Sequence, residues 1–264
     1  MEIVAGDLAD GGALEELCEA ADVVVHAAGL VKARRVADFT LVNVEGARQL
    51  AQAAADAPHT ILISSLSARE PRLSPYAESK HAAEAVMAGT LASRLTIVRP
   101  CAIYGPRDRE LLPIFQAADV SPILPLFGAD ARITMVHVED AADQVAMIAA
   151  GAPKGARYSI CDDRPQGYSW RELMTSAAAA CNRRPGLIPV PELVIQSLAF
   201  ISEISRLTGA SPMLTRAKVR ELLHRDWSVA PDTLAPTAPP VRHTLATGFK
   251  HTVDWCRQAG WLKH

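Results

Sequence analysis

Residues 61–80 read ILISSLSAREPRLSPYAESK, and their order decides the fold. An apolar run (Ile61, Leu62, Ile63) reads as a strand that delivers Ser64 and Ser65, after which Tyr76 and Lys80 stand four apart, on one face of a helix. Through 74–91 that face continues as Ala83, Met87 and Leu91, so the spacing predicts both polar heads on the stripe that packs inward. An inward lysine is costly unless it has work to do. The work that fits is lowering the proton affinity of the Tyr76 phenol. An ordinary phenol pKa of about 10 is too high for acid–base chemistry near neutrality unless a cation stabilises the phenolate. Ser65 would then hydrogen-bond a substrate oxygen. The competing reading is an exposed helix with Tyr76 and Lys80 in solvent.

On both sides of this stretch, short apolar runs alternate with helical periodicity. Strands are predicted at Ile3-Val4, Val23–Val25, Ile61–Ile63 and Leu95–Val98, and helices at Ala13–Ala20, Phe39–Ala55 and Pro75–Leu91. That alternation is the signature of parallel strands with crossover helices and predicts an α/β, doubly wound sheet. In the second helix Phe39, Val42, Gly46, Leu50 and Ala53 recur at spacings of three and four, so one face should pack on the sheet. Beyond Gly105 the pattern loosens: 106–125 carries four prolines, Ile133–Val136 reads as a strand, Glu139–Ala150 as a helix and Arg157–Ile160 as a strand, with a mainly helical remainder. Val190–Leu207 is apolar but broken by Glu192, Gln196, Ser202, Glu203 and Arg206, too polar to span a membrane, and is expected to be a helix over a substrate cleft. Ala230–Val241, with four prolines, is a surface loop before a last helix, Leu245–Ala259.

Composition excludes other classes. A chain of 264 residues with 49% hydrophobic and 21% charged residues can bury a substantial core. A net charge of −2 offers no basic surface for nucleic acid or membrane headgroups. The five cysteines (Cys18, Cys101, Cys161, Cys181, Cys256) contain no Cys-x-x-Cys, so neither a disulfide framework nor a zinc site is suggested. With no basic and apolar leader at the amino terminus, a cytoplasmic location is expected.

Further motifs flank the central stretch: Val4-Ala5-Gly6-Asp7-Leu8, Val23-Val24-Val25-His26-Ala27-Ala28-Gly29, Arg99-Pro100 and Ile103-Tyr104-Gly105-Pro106. In this order and spacing the set resembles the extended short-chain dehydrogenase/reductase family, also called NAD-dependent epimerase/dehydratases, over nearly the whole chain. The resemblance implies a Rossmann-like NAD(P)-binding part at 1–105 and a smaller, mainly helical substrate lobe at 106–264, with about 133–162 returning to the first. It implies NAD or NADP as cofactor, Tyr76 as acid/base, Lys80 lowering its pKa, Ser65 polarising the substrate oxygen with Ser67 as substitute, and Asn43 holding a water near Lys80. Asp7 and Leu8 would border the adenine, Ala27, Ala28 and Gly29 the ribose and phosphates, and Pro100, Cys101, Ala102 and Ile103 the nicotinamide, with Tyr76 and Lys80 also touching the cofactor. Arg107 and Arg132 could anchor an anionic substrate group, because guanidinium matches phosphate and carboxylate geometry.

Other positions receive plainer readings. His26 reads as a satisfied core histidine, and His137, Glu139 and Asp140 as a helix start whose acidic first turn complements the dipole; no metal ligand set is proposed. The carboxyl-terminal pattern (Leu214 to Leu222, Asp226-Trp227, Gly248-Phe249, Trp255 to Trp261) is similar to bacterial relatives of 3β-hydroxysteroid dehydrogenases and dihydroflavonol reductases. Leu66-Ser67-Ala68-Arg69 stands where nucleotide-sugar enzymes carry an aromatic motif. A secondary alcohol or ketone on a hydrophobic molecule is therefore the expected substrate, with a nucleotide-sugar epimerase/dehydratase and a non-catalytic scaffold as alternatives. The partners implied are a small-molecule substrate, no nucleic acid and no membrane span, and a homodimer is compatible with the resemblance.

The family's glycine-rich turn is missing. No Gly-x-x-Gly-x-x-Gly occurs, and the pair Gly11-Gly12 lacks the third glycine. By motif order Ile3–Leu8 corresponds to the third strand of the family, as if the chain started two strand-and-helix units late, at ~30 residues each. In the order 3-2-1-4-5-6 this leaves the Ile3 strand without neighbours and the Val23 strand with one open edge. The chain as given is then expected to hold NAD(P) weakly and to be inactive.

Overall fold

The computed structural model describes residues 2–33, 35–128, 131–151, 153–197, 216–236 and 239–263. Two compact units emerge: the first holds Met1–Pro100, Val145–Ser159 and Ala235–Thr237, the second Cys101–Gln144, Ile160–Leu234 and Ala238–His264.

The first unit is built on β1 (Val24–His26), β2 (Thr60–Ile63) and β3 (Leu95–Pro100). A later strand, Arg157–Ile160, completes the sheet on the far side of β3. β1 pairs parallel with β2, and β2 with β3. Ile61 and Leu62 are both buried, so successive residues on opposite faces are covered, as a parallel sheet with helices on each side requires. Those helices are α1 (Gly11–Cys18), α2 (Val36–Phe39), α3 (Gly46–Ala53) and α4 (Pro75–Leu91). Leu14, Cys18, Ala47, Leu50, Ala51, Ala83, Met87 and Leu91 close a core over Val24, Leu62, Leu95 and Ile97. The fold is α/β, a Rossmann-like parallel sheet with flanking helices.

Two expectations need correction here. Ile3-Val4 forms no strand, and Ile3 is 79% exposed; no strand among the described residues lies beside it to take its backbone hydrogen bonds. β1 accordingly stands at the sheet's edge. The helix expected from Phe39 starts at Val36, and between α2 and α3 the chain makes a π turn, Thr40–Glu45. The wider turn rotates the inward face, so Asn43 and Val44 are buried where the regular spacing pointed to Val42.

In the second unit β4 (Ala102–Tyr104) pairs parallel with Met135–His137. Between them in sequence lie α5 (Leu112–Val120), β5 (Ile123–Phe127) and β6 (Arg132–Ile133), so the Met135 strand is β7. α6 (Val138–Gly151) follows, then β8 (Arg157–Ile160), α7 (Trp170–Ala180) and β9 (Gly186–Val190). β5 pairs parallel with β9, in register Pro125↔Ile188 and Leu126↔Pro189. Neither strand was expected, and Val190 ends β9 instead of opening a helix. Each carries a proline, which argues against a strand in sequence but is tolerated in a two-stranded sheet whose outer edges need no partner. Residues 192–197 are helical, while 198–207, like Leu214 and Thr215, lie outside the described residues. A short β10 (Asp226–Trp227) beside β6 follows the helix Arg216–Leu223, and the last helix spans Leu245–Gln258. Tyr104, Phe115 and Phe249 anchor this core, with Phe249 edge-on to the other two rings at 4.9 and 5.1 Å. All five cysteines are buried and unpaired. No described helix is long and apolar enough to cross a membrane.

Candidate active site

Ser74 fixes where α4 begins. Its Oγ accepts from the amide of Ala77 at 3.1 Å and Pro75 fills the first turn, where a missing N–H costs nothing. That start puts Tyr76 in the first turn and Lys80 one turn on, with Lys80, Ala83, Met87 and Leu91 all buried. Lys80 is only 7% exposed, and its Nζ donates to the carbonyl of Ile63 at the end of β2, 2.7 Å away. Burial pulls its ammonium down to about 8, while Glu84 acts the other way. Tyr76 is half-buried, its ring 6.2 Å from that of Phe39, and its carbonyl accepts from the Ser79 hydroxyl at 2.8 Å.

The π turn brings Asn43 to the same corner. Its Nδ2 donates to the Leu30 carbonyl (3.0 Å) and to Ser79 Oγ (2.9 Å), and its Oδ1 accepts from the Leu30 amide at 2.7 Å. Both amide donors are thus spent on holding the segment after β1 against α4, so a water held by this side chain would have to donate to Oδ1. Gly29 sits inside this clamp: a Cβ there would lie 3.0 Å from Asn43 Oδ1 and 3.9 Å from Lys80 Nζ. His26, buried on β1, is pulled down to about 4 by burial and then by Lys80. It is a neutral core histidine.

The serine pair divides its labour. Ser64 is buried and its hydroxyl donates to Glu84 at 2.5 Å. Ser65 is half-buried and caps a 3₁₀ turn, Leu66–Arg69: its Oγ accepts from the Ser67 amide at 3.2 Å and lies 2.8 Å from Ser67 Oγ. Of the two, Ser65 has a hydroxyl able to serve a ligand. Glu84 itself was missed in the sequence. It is buried and receives Arg99 through two bonds, 2.8 and 2.6 Å, with Arg157 at 3.7 Å. The bidentate pair ties α4 to β3 one turn beyond Lys80, and the readable signal was its position four residues after Lys80.

The remaining expected residues are spread more widely. Asp7 Oδ1 accepts from the Ala9 amide at 2.7 Å, closing a turn. Leu8 packs on α3, where a Cβ at Gly46 would come within 2.7 Å of its Cδ1, and is partly buried against the core. Ala27, Ala28 and Gly29 are exposed after β1, and Pro100 is buried at the end of β3. In the second unit Cys101 is buried, its amide donating to Ile160, while Ala102 and Ile103 are exposed on β4. Arg107 is exposed with φ of 72°. Arg132 is exposed and stands 3.8 Å from Glu172, which Arg164 holds more closely at 2.7 Å. The structure also gathers His137, Glu139, His243 and His251, a metal-type donor set absent from the sequence reading because its two pairs stand more than a hundred residues apart.

At one end of the first unit the backbone of Ala27 to Gly29 is exposed, and Gly29 lies beside Asn43 and Lys80; small side chains of this kind let a backbone approach a cofactor's ribose. The diphosphate end is different. A phosphate normally sits on free amides at a helix N-terminus, but α1 is capped by Asp10, whose carboxylate accepts from the Ala13 amide at 3.1 Å. Among the described residues no glycine-rich turn offers a second cradle.

A family model described as NAD dependent epimerase/dehydratase family matches residues 1–161. The chain is 43% identical to a ceramide reductase of Caulobacter vibrioides (strain NA1000 / CB15N) over 264 aligned residues, covering 99% of this chain and 82% of that one. Its fold is similar to that of gox2253, with a TM-score of 0.77 at 21% identity over 99% of this chain and 86% of that one. It is similar too to WbmG of Bordetella bronchiseptica in complex with NAD and UDP, with a TM-score of 0.68 at 14% identity over 99% and 81%. On this evidence the chain belongs to the NAD dependent epimerase/dehydratase family, and NAD or NADP is its cofactor.

Proposed function

We propose that the chain carries the catalytic residues of an NAD(P)-dependent oxidoreductase that reduces a carbonyl, or oxidises the matching secondary alcohol, on a ceramide-class lipid. The observation that carries the reaction type is Lys80, a buried ammonium on the same helix face as Tyr76. The substrate class is supported by the 43% identity to the ceramide reductase.

The cofactor, when bound, supplies or accepts the hydride. In the reductive direction the Tyr76 hydroxyl gives its proton to the substrate oxygen as the carbonyl carbon receives the hydride. The Lys80 ammonium stabilises the phenolate left behind. The Ser65 hydroxyl donates to the same oxygen and holds the negative charge that develops there. Asn43 is a positioning residue: it locks the segment after β1 to α4 and so keeps Gly29 and Lys80 in place.

The test is oxidation of NADH and of NADPH in the presence of a carbonyl-bearing ceramide in detergent micelles. It is run on the 264-residue chain and on a form extended at its amino terminus by a glycine-rich strand-turn-helix. Turnover with the lipid that disappears in Tyr76→Phe supports the proposal. Turnover with a UDP- or dTDP-sugar and none with the lipid would overturn the substrate class, and hydride transfer indifferent to Tyr76 would overturn the mechanism.

A further inference from the structure

Three histidines and a glutamate meet in the second unit without any part in hydride transfer. β7 ends on His137, α6 presents Glu139 in its first turn, His243 precedes the last helix and His251 lies within it. One nitrogen or oxygen from each lies within 4.8 Å of the other three. His243 Nε2 is 2.9 Å from Glu139 Oε2, and His251 Nδ1 is 3.2 Å from His137 Nε2. The rings of His137 and His243 stack with centroids 3.8 Å apart, and His251 lies nearly parallel to both at 5.2 and 5.5 Å. His137 is fully buried and the other three are half-buried, so the donors converge on a spot open on one side.

A support holds the cluster. Asp140, itself buried, accepts the amides of Arg242 and His243 at 2.8 and 3.0 Å. It thereby fixes the backbone that carries one of the imidazoles, as residues behind a metal site do.

We propose that His137 Nε2, His243 Nε2, His251 Nδ1 and a carboxylate oxygen of Glu139 bind a zinc-class divalent ion in tetrahedral geometry. Zinc bonds of about 2.0–2.2 Å to nitrogen and oxygen set tetrahedral ligand atoms about 3.3–3.5 Å apart. The two close pairs, at 2.9 and 3.2 Å, are already near that spacing, and on binding the stacked rings would turn so that each nitrogen lone pair, which lies in its ring plane, faces the ion. Three imidazoles and one carboxylate suit zinc, whereas magnesium and calcium take oxygen ligands.

The protons balance. The Glu139 amide approaches His137 Nδ1 at 3.3 Å, so His137 carries its proton on Nε2 and donates it to His251, while His243 donates from Nε2 to Glu139. On metal entry both protons move to the Nδ1 positions, the long amide contact opens, and the carboxylate offsets one of the two positive charges. The ion would staple the end of β7 and the start of α6 to the last helix.

The experiment uses the 264-residue chain stripped by a chelator, titrated with zinc in competition with a chromogenic indicator and melted with and without zinc. One zinc per chain, a raised Tm and a cobalt(II) spectrum with tetrahedral d–d bands but no thiolate charge-transfer band are expected. His137 is buried, so its replacement would report on folding; His251→Ala and Glu139→Gln are the informative variants. Each should weaken zinc by about 100-fold or more while melting as the stripped parent does. Zinc that leaves the parent's Tm unmoved, equal affinity in both variants, or a thiolate band would overturn the site.

Discussion

Two helix starts in the first unit were each in a position to serve a dinucleotide, and they are built in opposite ways. At α4 a neutral Ser74 caps the helix and Lys80 lies buried one turn inward from Tyr76, with its ammonium on Ile63. At α1 the cap is a carboxylate, Asp10, which satisfies the amides and sets a negative charge where a phosphate would sit. The first corner keeps a cation that is costly to bury, as the proposed proton chemistry would require. The second is a solvent-facing helix end that favours no anion. On the proposed reading, the catalytic and cofactor-holding parts of such a sheet are separable: the proposed proton residues stand together in a chain whose described residues contain no glycine-rich cradle.

The sharpest way to break this comparison is at Tyr76. In a form that binds cofactor, Tyr76→Phe should lower turnover by about 10²–10⁴ and leave cofactor affinity nearly unchanged, measured by steady-state kinetics beside a cofactor titration. Unchanged turnover would place the proton chemistry elsewhere.

Lys80 offers a test independent of substrate. Its folded pKa, about 8, lies below the ordinary lysine value, so between about pH 8 and 10.4 the unfolded chain binds the extra proton. Stability contributed by this group is therefore present above that window and is lost as pH falls through it. Relative to Lys80→Met, the parent should gain up to about 3 kcal/mol as pH rises across the window, at about 1.4 kcal/mol per unit. Denaturant melts of both proteins at pH 7.5 and 10.5 measure it. A difference that does not change with pH would mean that the ammonium is not desolvated.

Asp10 gives the smallest effect. Asp10→Ala should cost about 1 kcal/mol through loss of the cap, read from urea midpoints, and should not create NAD(P) affinity. A gain of tenfold or more in affinity would show that the carboxylate alone was keeping a phosphate away from α1.

How much of this was legible in the sequence follows from where each signal lives. α4 was readable because Ser74-Pro75 marks its start and Tyr76, Lys80, Ala83, Met87 and Leu91 keep a regular spacing. Asn43 was named from resemblance, but its actual work was hidden by the π turn, which shifts the inward face by a residue and leaves no mark in an apolar pattern. Ile3-Val4 has strand composition without a strand, because a strand needs a neighbour and composition cannot supply one. β5 and β9 were obscured by Pro125 and Pro189. The His137 cluster was invisible because its ligands come from two ends of the second unit's chain, and only the fold brings them within reach of one ion.

The central claim, a proposed proton site at Tyr76 and Lys80 with no glycine-rich diphosphate cradle among the described residues, is tested most directly by calorimetric titration of NAD and NADP. The 264-residue chain would be titrated beside the form extended by a glycine-rich strand-turn-helix. Two or three absent charge-assisted hydrogen bonds of about 1.5–3 kcal/mol each should move a micromolar site toward millimolar. The account predicts millimolar or weaker binding by the chain alone and micromolar binding by the extended form. Equal micromolar affinity for both would contradict it, and would mean that the first unit grips the diphosphate through residues other than a helix N-terminus.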